Sequence, residues 1–553
     1  MSTSISFESP SEQFMFEPLP NDNTFRVVEV FPGKKDSPII CRLHIADWKN
    51  PPKYEAISYA WGDITPTNPI VVNGRRLVII RSLYTALNHL RYRDRPRFLW
   101  ADFICINRKD PEELLETILR SRKKKIYEKS QSMISSFLCK KLQVTLAGLK
   151  AIENVFELVF KCGRSLPVPD QCDFSSEDTW KTLAWFYSFP YYSRVWVIQE
   201  VRLNRERIVH CGHETIEWVS IELVAGYISL AADFSQRWGF CNTKVWHAAT
   251  FAEFKQPENW LSMLYLASNY SCWEPKAHVY GLRGLMKFSN GADILIPDCK
   301  KTTLEVYRDS VEAALTNFEN TDALLYVTGK ENPSWIPAWN APMPFRNPFP
   351  FGHRVPWKPA RGRSRAIWSI DKSTNVLSLG GFIAGVIKVV QPYSEQYFDA
   401  TMLRSAEGKA KLKANAFSFG LDEMSIPAHE GHLLCNFVAY LKAVLDEETY
   451  AKYISPAISQ ELRCGSVENF AKPVYLRDST YPESSLFVTD GGLVGCCVSA
   501  VAVGDVVAVP LGCTYPLVLR PDGERFRIRG FTYTYGIMRG EKANTPPRVL
   551  QIC

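Results

Sequence analysis

Three separated stretches of the 553-residue chain put a carboxylate or a large aromatic ring where burial is costly. The first is Tyr191-Tyr192-Ser193-Arg194-Val195-Trp196-Val197-Ile198-Gln199-Glu200, an aromatic and aliphatic run that ends in one acid. Pro190 stands before it, where a helix cannot easily extend backwards, and Ser193 is placed to cap a helix N-terminus. A helix starting there puts Trp196, Val197, Glu200 and Val201 on one face. Glu200 then sits beside an apolar stripe instead of in bulk water. Such a setting perturbs a carboxylate and makes it a candidate for proton transfer or charge stabilisation. A structural reading stands beside it, in which Glu200 pairs with a nearby arginine and only orients the helix. The second stretch, Phe98-Leu99-Trp100-Ala101-Asp102-Phe103-Ile104-Cys105-Ile106-Asn107, is nearly continuous apolar sequence. It suits a central strand covered on both faces. Asp102 inside it must then be hydrogen-bonded or near the strand's end, because an unpaired buried charge is costly. The third, Tyr54-Glu55-Ala56-Ile57-Ser58-Tyr59-Ala60-Trp61-Gly62-Asp63, reads as a buried strand ending in a Gly-Asp turn. Ligands bind at such strand exits in α/β sheets, so Trp61 is either a ligand contact or a plug over the core.

The elements that position these residues follow from the intervening sequence. Thr24 to Phe31 and Ile39 to Ile45 form a hairpin across Pro- and Gly-containing links. Asn73-Gly74 between Val-rich runs predicts a second hairpin over Ile70 to Ile80. Ser82 to Leu90 is an amphipathic helix with Leu83, Ala86, Leu87 and Leu90 inward. Asp110 caps the next helix, with Pro111 in its first turn and Glu112 and Glu113 at the positive end of its dipole. Arg120 and Arg122-Lys123-Lys124-Lys125 crowd its far end, as a solvated face or as a nuclear-import or polyanion patch. Ser132 to Leu138 is a weak strand, Leu142 to Phe160 a helix, and Asp178 to Ser188 a further helix rich in Trp and Phe. Strand, helix, strand, helix in this order predicts a parallel sheet flanked by helices.

Composition excludes several classes. The chain is 46% hydrophobic and 13% aromatic, which is an ordered protein, and its length implies two or three domains. A net charge of +7 from 65 basic and 58 acidic residues is mild over this length and does not call for nucleic acid. The N-terminus shows no secretory signal, and no apolar run is long enough to cross a membrane. The 15 cysteines are irregularly spaced, as expected of reduced thiols in a cytoplasmic protein. His210-Cys211-Gly212-His213 and His429-Glu430-Gly431-His432 lack metal-site spacing, so no metal is expected. No phosphate-binding glycine loop or nucleophile elbow is present.

The three stretches together resemble the fungal heterokaryon-incompatibility (HET) domain, block by block and in order. Downstream, Glu274 to Leu282, Pro297-Asp298, Val306-Tyr307-Arg308-Asp309, Trp335-Ile336-Pro337-Ala338-Trp339 and Gly504-Asp505-Val506-Val507 resemble the same family. The chain departs from it at Arg108, where the family usually has Gln, and at Ser132 to Leu138, where it usually has a Val-rich strand. The resemblance implies a TIR/flavodoxin-like α/β domain and a role in nonself recognition and regulated cell death. The HET domain is in turn similar to TIR domains, some of which cleave NAD with a glutamate placed as Glu200 is, after a Trp. On that implication Glu200 is catalytic and Trp61, Asp102, Asn107 and Trp196 bind substrate, with Asp102 and Asn107 on ribose hydroxyls. NAD is then a substrate, and no cofactor is implied. Two other readings stay open: a non-catalytic signalling module that works as a homo-oligomer, and an accessory protein of a biosynthetic gene cluster. An incompatibility partner protein of unknown identity is implied.

The expected organisation is an N-terminal domain over 1–225 with its core at about 54–201, a helical region over 226–335, and a β-rich region over 336–553. Thr302 to Phe318 is a helix, Pro342 to Pro359 an extended linker, and Lys411 to Lys472 a helical insertion. Arg361, Arg363 and Arg365 form a basic surface loop. In the last part Pro521-Asp522-Gly523-Glu524 is a tight turn between strands. Its arginines, Arg525, Arg527 and Arg529, face away from Phe526 and Ile528, as wetted surface or as a face for an acidic partner.

Overall fold

The computed structural model describes residues 12–34, 37–110, 112–113, 121–137, 142–162, 175–204, 206–211, 214–230, 232–254, 257–298, 300–345, 347–349, 358–361, 365–392, 484–534 and 537–553. Contacts divide the chain into two units, Met1–Lys287 with Ile296–Lys301, and Phe288–Leu295 with Thr302–Cys553.

The first unit is built on a nine-stranded sheet in the order β5-β4-β2-β1-β6-β3-β7-β8-β9. Its strands are β1 (Thr24–Val30), β2 (Ile40–Asp47), β3 (Glu55–Tyr59), β4 (Pro66–Val72), β5 (Arg75–Ile80), β6 (Arg97–Trp100), β7 (Ser132–Phe137), β8 (Arg207–Cys211) and β9 (Glu214–Glu217). The expected parallel sheet needs correction, because the sheet is mixed. Pairing is parallel between β6 and β3, β3 and β7, and β7 and β8, and also between β2 and β4. Elsewhere it is antiparallel, at β1–β2, β1–β6, β4–β5 and β8–β9. Parallel neighbours need a long crossover, and a two-residue turn such as the one between β4 and β5 can only return the chain antiparallel; β1 and β6 pair antiparallel without being consecutive. Asn73 and Gly74 sit at φ 50 and 75, the left-handed pair that a two-residue hairpin requires.

Helices α1 (Arg81–Leu90), α2 (Asp102–Cys105), α3 (Ser121–Lys129), α4 (Leu142–Cys162), α5 (Glu177–Phe186), α6 (Val195–Leu203) and α7 (Trp218–Leu230) accompany the sheet. After them come α8 (Ala232–Arg237), α9 (Val245–Thr250), α10 (Trp260–Ala267) and α11 (Ala277–Tyr280). Helix α1 buries Leu83, Ala86, Leu87 and Leu90, the predicted face. Two other expectations are overturned. The strand expected over 98–107 stops at Trp100, and Asp102–Cys105 is a helical turn closed by the Cys105 N–H on the Ala101 carbonyl at 2.8 Å. Ile104, Cys105 and Ile106 are buried all the same, and an apolar run this short does not distinguish strand from turn. Nor does Ser193 cap a helix. Pro190–Ser193 is a 3-10 turn, the Ser193 hydroxyl donates to the Pro190 carbonyl at 3.1 Å, and the extended cap residue of α6 is Arg194.

One buried ion pair ties the segment after α2 to the sheet. The Arg26 guanidinium, 2% exposed, grips both oxygens of Glu113. Glu113 in turn accepts the Asn107 N–H at 2.8 Å. Asp110 accepts from the N–H groups of Glu112 and Glu113 at 3.0 and 3.2 Å, the capping role expected of it. Pro111 and the inner face expected over 114–119 lie outside the described residues.

The second unit opens with α12 (Thr303–Phe318), whose start is a capping box between Thr302 and Glu305. Its sheet comprises β10 (Trp368–Asp371), β11 (Val376–Pro392), β12 (Ser485–Thr489), β13 (Val494–Cys497), β14 (Val506–Pro510), β15 (Leu517–Asp522), β16 (Arg525–Thr534) and β17 (Arg548–Ile552). Pairing runs β11-β12-β13-β16-β15-β14 and returns to β11, so the β-rich region is a closed ring. The long β11 makes this possible. Irregularities after Ile383 and Ile387 re-aim it, so one part pairs β14 and the next pairs β12. Phe382, Ile387, Phe487, Val507, Val509 and Val518 fill the interior.

The linker expected over 342–359 is not one in its described part. Met343, Phe345 and Phe349 are buried, and the Phe345 ring meets Phe531 edge-on at 5.4 Å. Aromatic rings carry too much apolar area to be left in a spacer when a core is within reach. Arg527 and Arg529 are half-buried instead of wetted, donating to the Glu331 and Gly329 carbonyls at 2.9 and 2.7 Å. The expected insertion over 411–472 and Arg363 lie outside the described residues.

Candidate functional site

Strand β3 runs Glu55-Ala56-Ile57-Ser58-Tyr59, and every residue after Glu55 is buried. A strand buried on both faces is ordinarily apolar, so two hydroxyl-bearing residues at its end need partners. They have them. The Ser58 hydroxyl donates to Oε2 of Glu200, and the Tyr191 hydroxyl lies 2.6 Å from Ser58 Oγ. A serine has one proton to give, and it goes to Glu200, so Tyr191 donates to Ser58. The result is a relay from Tyr191 through Ser58 to a carboxylate that is 4% exposed. The Tyr59 hydroxyl donates to Asp102 Oδ1 at 2.7 Å. Burial, followed by the Asp102 charge, holds the Tyr59 phenol well above its usual pKa, so it stays a neutral donor.

Helix α6 places Glu200, and Arg194 anchors that helix. Arg194 donates to the Tyr59 carbonyl, the last of β3, and its backbone bridges to Ser271. A cation at a helix start opposes the dipole, so its partners must be outside the helix. Tyr127 on α3 reads out the whole arrangement. Burial pushes its phenol far up, the Glu200 and Asp102 charges push it further, and Arg194 opposes them. Both carboxylates therefore lie close enough to one side chain to act on it together.

Trp61 follows the strand at the rim. Its ring carries the Arg108 guanidinium 4.2 Å from the centroid and meets Phe103 edge-on at 6.2 Å. Its indole Nε1 is buried and has no partner among the described residues. Gly62 beside it has φ +63, and a Cβ there would meet open space. The sequence-predicted site residues thus fall in two groups. Trp61, Asp102 and Glu200 lie around the end of β3, Glu200 on Ser58, Asp102 on Tyr59 and Trp61 two residues past the strand. Trp196, half-buried on α6, turns its indole to the Cys272 sulfur instead. Asn107 spends its side-chain oxygen on the Lys109 N–H at 3.2 Å.

Residues 54–200 match the family model "Heterokaryon incompatibility protein (HET)". This segment is a HET domain. "Heterokaryon incompatibility protein 6, OR allele" of Neurospora crassa is 43% identical over 88 residues, which cover 14% of this chain and 13% of that protein. The matched part is therefore a small fraction of the relative's length. No solved structure matches the chain. The HET domain boundaries coincide with the site: they open at Tyr54, the start of the β3 block, and close at Glu200.

Sequence reasoning missed Ser58, Tyr59, Tyr191, Tyr127 and Arg194 as parts of the site. The available signal was the hydroxyls at the end of an otherwise apolar strand, since each must find a partner. No group of three or more His, Cys, Asp or Glu among the described residues could hold a metal. His213, His429 and His432 lie outside them. No helix of the described residues is long and apolar enough to cross a membrane.

Proposed function

We propose that the HET domain is the effector of an incompatibility-type protein, acting in nonself recognition and regulated cell death by cleaving the N-glycosidic bond of NAD. One observation carries the reading: two carboxylates, Glu200 and Asp102, reach the end of a single parallel strand, each held by its own hydroxyl donor. Breaking the bond sends its electron pair to the nicotinamide nitrogen and leaves an oxocarbenium-like ribose. Glu200, oriented by Ser58 and Tyr191, stabilises that positive charge. Water then adds to the ribose carbon and gives up a proton, so the products are ADP-ribose, nicotinamide and H⁺. Asp102 takes ribose hydroxyls.

A second reading rests on the 4% exposure of Glu200. In it the carboxylate only anchors α6 to β3, and the domain signals without catalysis, by self-association. One experiment separates the two: NAD and nicotinamide are measured in cells expressing the full chain or Glu200→Gln, and growth is scored alongside. NAD loss that disappears in Glu200→Gln supports hydrolysis. Toxicity that survives the substitution while NAD stays constant overturns hydrolysis in favour of the signalling module.

A further inference from the structure

At the rim of the same site two guanidinium groups converge on Tyr59. Arg194 donates to its carbonyl, and Arg108 sits over the ring of Trp61 two residues on. Both charges act on the Tyr59 phenol. Their settings differ. Arg194 is half-buried and already engaged, whereas Arg108 is exposed, and its contacts among the described residues are the Trp61 and Phe103 rings. A guanidinium resting over an indole has its mobility restricted by the ring while its N–H groups can still donate at its edge. That is the arrangement that meets a phosphate with two parallel hydrogen bonds. Asp102 is the opposing charge nearby, and its Oδ1 already accepts the Tyr59 hydroxyl. The remaining oxygen suits hydroxyls, not phosphate.

We infer that Arg108, held by Trp61 and assisted by Arg194, binds the phosphate groups of a nucleotide whose ribose reaches Asp102. The inference rests on the nucleotide reading of the site, and it adds which end of the ligand enters where: phosphate at the Trp61 rim, ribose towards Asp102 and Glu200. It also assigns Trp61 a positioning role. The indole holds the arginine, and the base does not stack on that face.

The test is calorimetric titration of the full chain with ADP-ribose, inorganic pyrophosphate and adenosine, on the wild type, Arg108→Gln, Arg108→Lys and Trp61→Leu. ADP-ribose cannot be cleaved to nicotinamide, so binding is read apart from turnover. Arg108→Gln should weaken ADP-ribose by about tenfold or more, the value of a charge-assisted hydrogen bond. Arg108→Lys should recover only part of this, since a lysine keeps the charge and loses the fork. Trp61→Leu should weaken ADP-ribose with Arg108 intact. Pyrophosphate binding that Arg108→Gln also weakens marks the phosphates as the contact. Equal ADP-ribose affinity in wild type and Arg108→Gln, with both folded by thermal melting, overturns the proposal, as does adenosine binding as tightly as ADP-ribose. ADP-ribose binding without any NAD turnover overturns hydrolysis and leaves this proposal standing. Turnover unchanged in KM by Arg108→Gln does the reverse.

Discussion

Two buried carboxylates, one in each unit, are held in different ways. Asp505 in the second unit is 2% exposed, and Arg520 clasps it with Nε and Nη2 at 2.8 and 2.9 Å. Its Oδ2 also accepts the Ala502 N–H at 2.7 Å. Charge is met by charge and turn geometry is fixed; reaching for a ligand would break a bidentate pair. Glu200 in the first unit is buried to a similar degree, yet it accepts from a serine hydroxyl that a tyrosine in turn supports. A hydroxyl donor orients a carboxylate more weakly than a bidentate guanidinium does, and under the hydrolytic reading that setting suits a group facing a developing cation.

The comparison breaks most sharply at those two residues. Glu200→Gln preserves shape and the Ser58 contact, and should lower NAD turnover by about 10²- to 10³-fold, in the range of a removed electrostatic stabiliser. Asp505→Asn leaves a guanidinium half-satisfied and should instead cost about 1–3 kcal/mol of stability with turnover intact. Nicotinamide release and urea unfolding on both variants read the two effects. Equal losses of stability with no difference in turnover would erase the distinction.

Within the first unit, Glu113 sharpens it further, as a structural acid beside the site. Removing it as Glu113→Ala strands Arg26 with its charge buried, and breaking such a pair costs about 3–5 kcal/mol. The Asn107 N–H loses its acceptor as well. Denaturant unfolding of the first unit should shift accordingly. A shift within that of a surface substitution would mean that the pair is as weak as an exposed one.

How far the sequence revealed this architecture depended on how local the cause was. Asn73-Gly74 and the inward face of α1 were legible because a few adjacent residues determine each. The mixed sheet was not, since nothing in β1 records that it pairs with β6, seventy residues on. The helix start failed for a local reason: Tyr191 and Tyr192 bury their rings best from a 3-10 turn after Pro190, which moves the cap to Arg194. At the site, Glu200, Asp102 and Trp61 stood out as unusual residue types in apolar company. Ser58 did not, because a small hydroxyl in a strand is unremarkable until its partner, 142 positions later, is known.

An acid-dependent prediction follows from His210 on β8. Burial first, then the Arg97 charge, holds its imidazole down at about 4 instead of 6.5. Above 6.5 folded and unfolded states are both neutral and His210 contributes nothing to the pH dependence. As the pH falls below 6.5 the unfolded chain takes up a proton that the folded one refuses, so stability declines until about pH 4 and then levels. The total is about 3 kcal/mol. His210→Gln should flatten this part of the stability–pH curve in urea unfolding; an unchanged slope would move the acid sensitivity to other groups.

The smallest effect separates two glycines that share a left-handed backbone. Gly329 (φ +81) in the second unit lies against the chain, and a Cβ there would sit 2.4 Å from the Arg529 carbonyl oxygen. Gly62 (φ +63) at the rim of the site has nothing within 4 Å. Alanine costs about 1–2 kcal/mol at either position for its backbone conformation alone. At Gly329 the clash adds to that, because a backbone carbonyl cannot swing aside as a side-chain tip can. Thermal unfolding should therefore rank Gly329→Ala well below Gly62→Ala. Gly62→Ala has a second expected outcome: nucleotide affinity within about twofold of wild type, since the added methyl points into open space and leaves Trp61 in place. Loss of binding in a variant that is still folded would mean that the ligand's path crosses that space, and would move the entrance of the site from the Arg108 side of Trp61 to the Gly62 side.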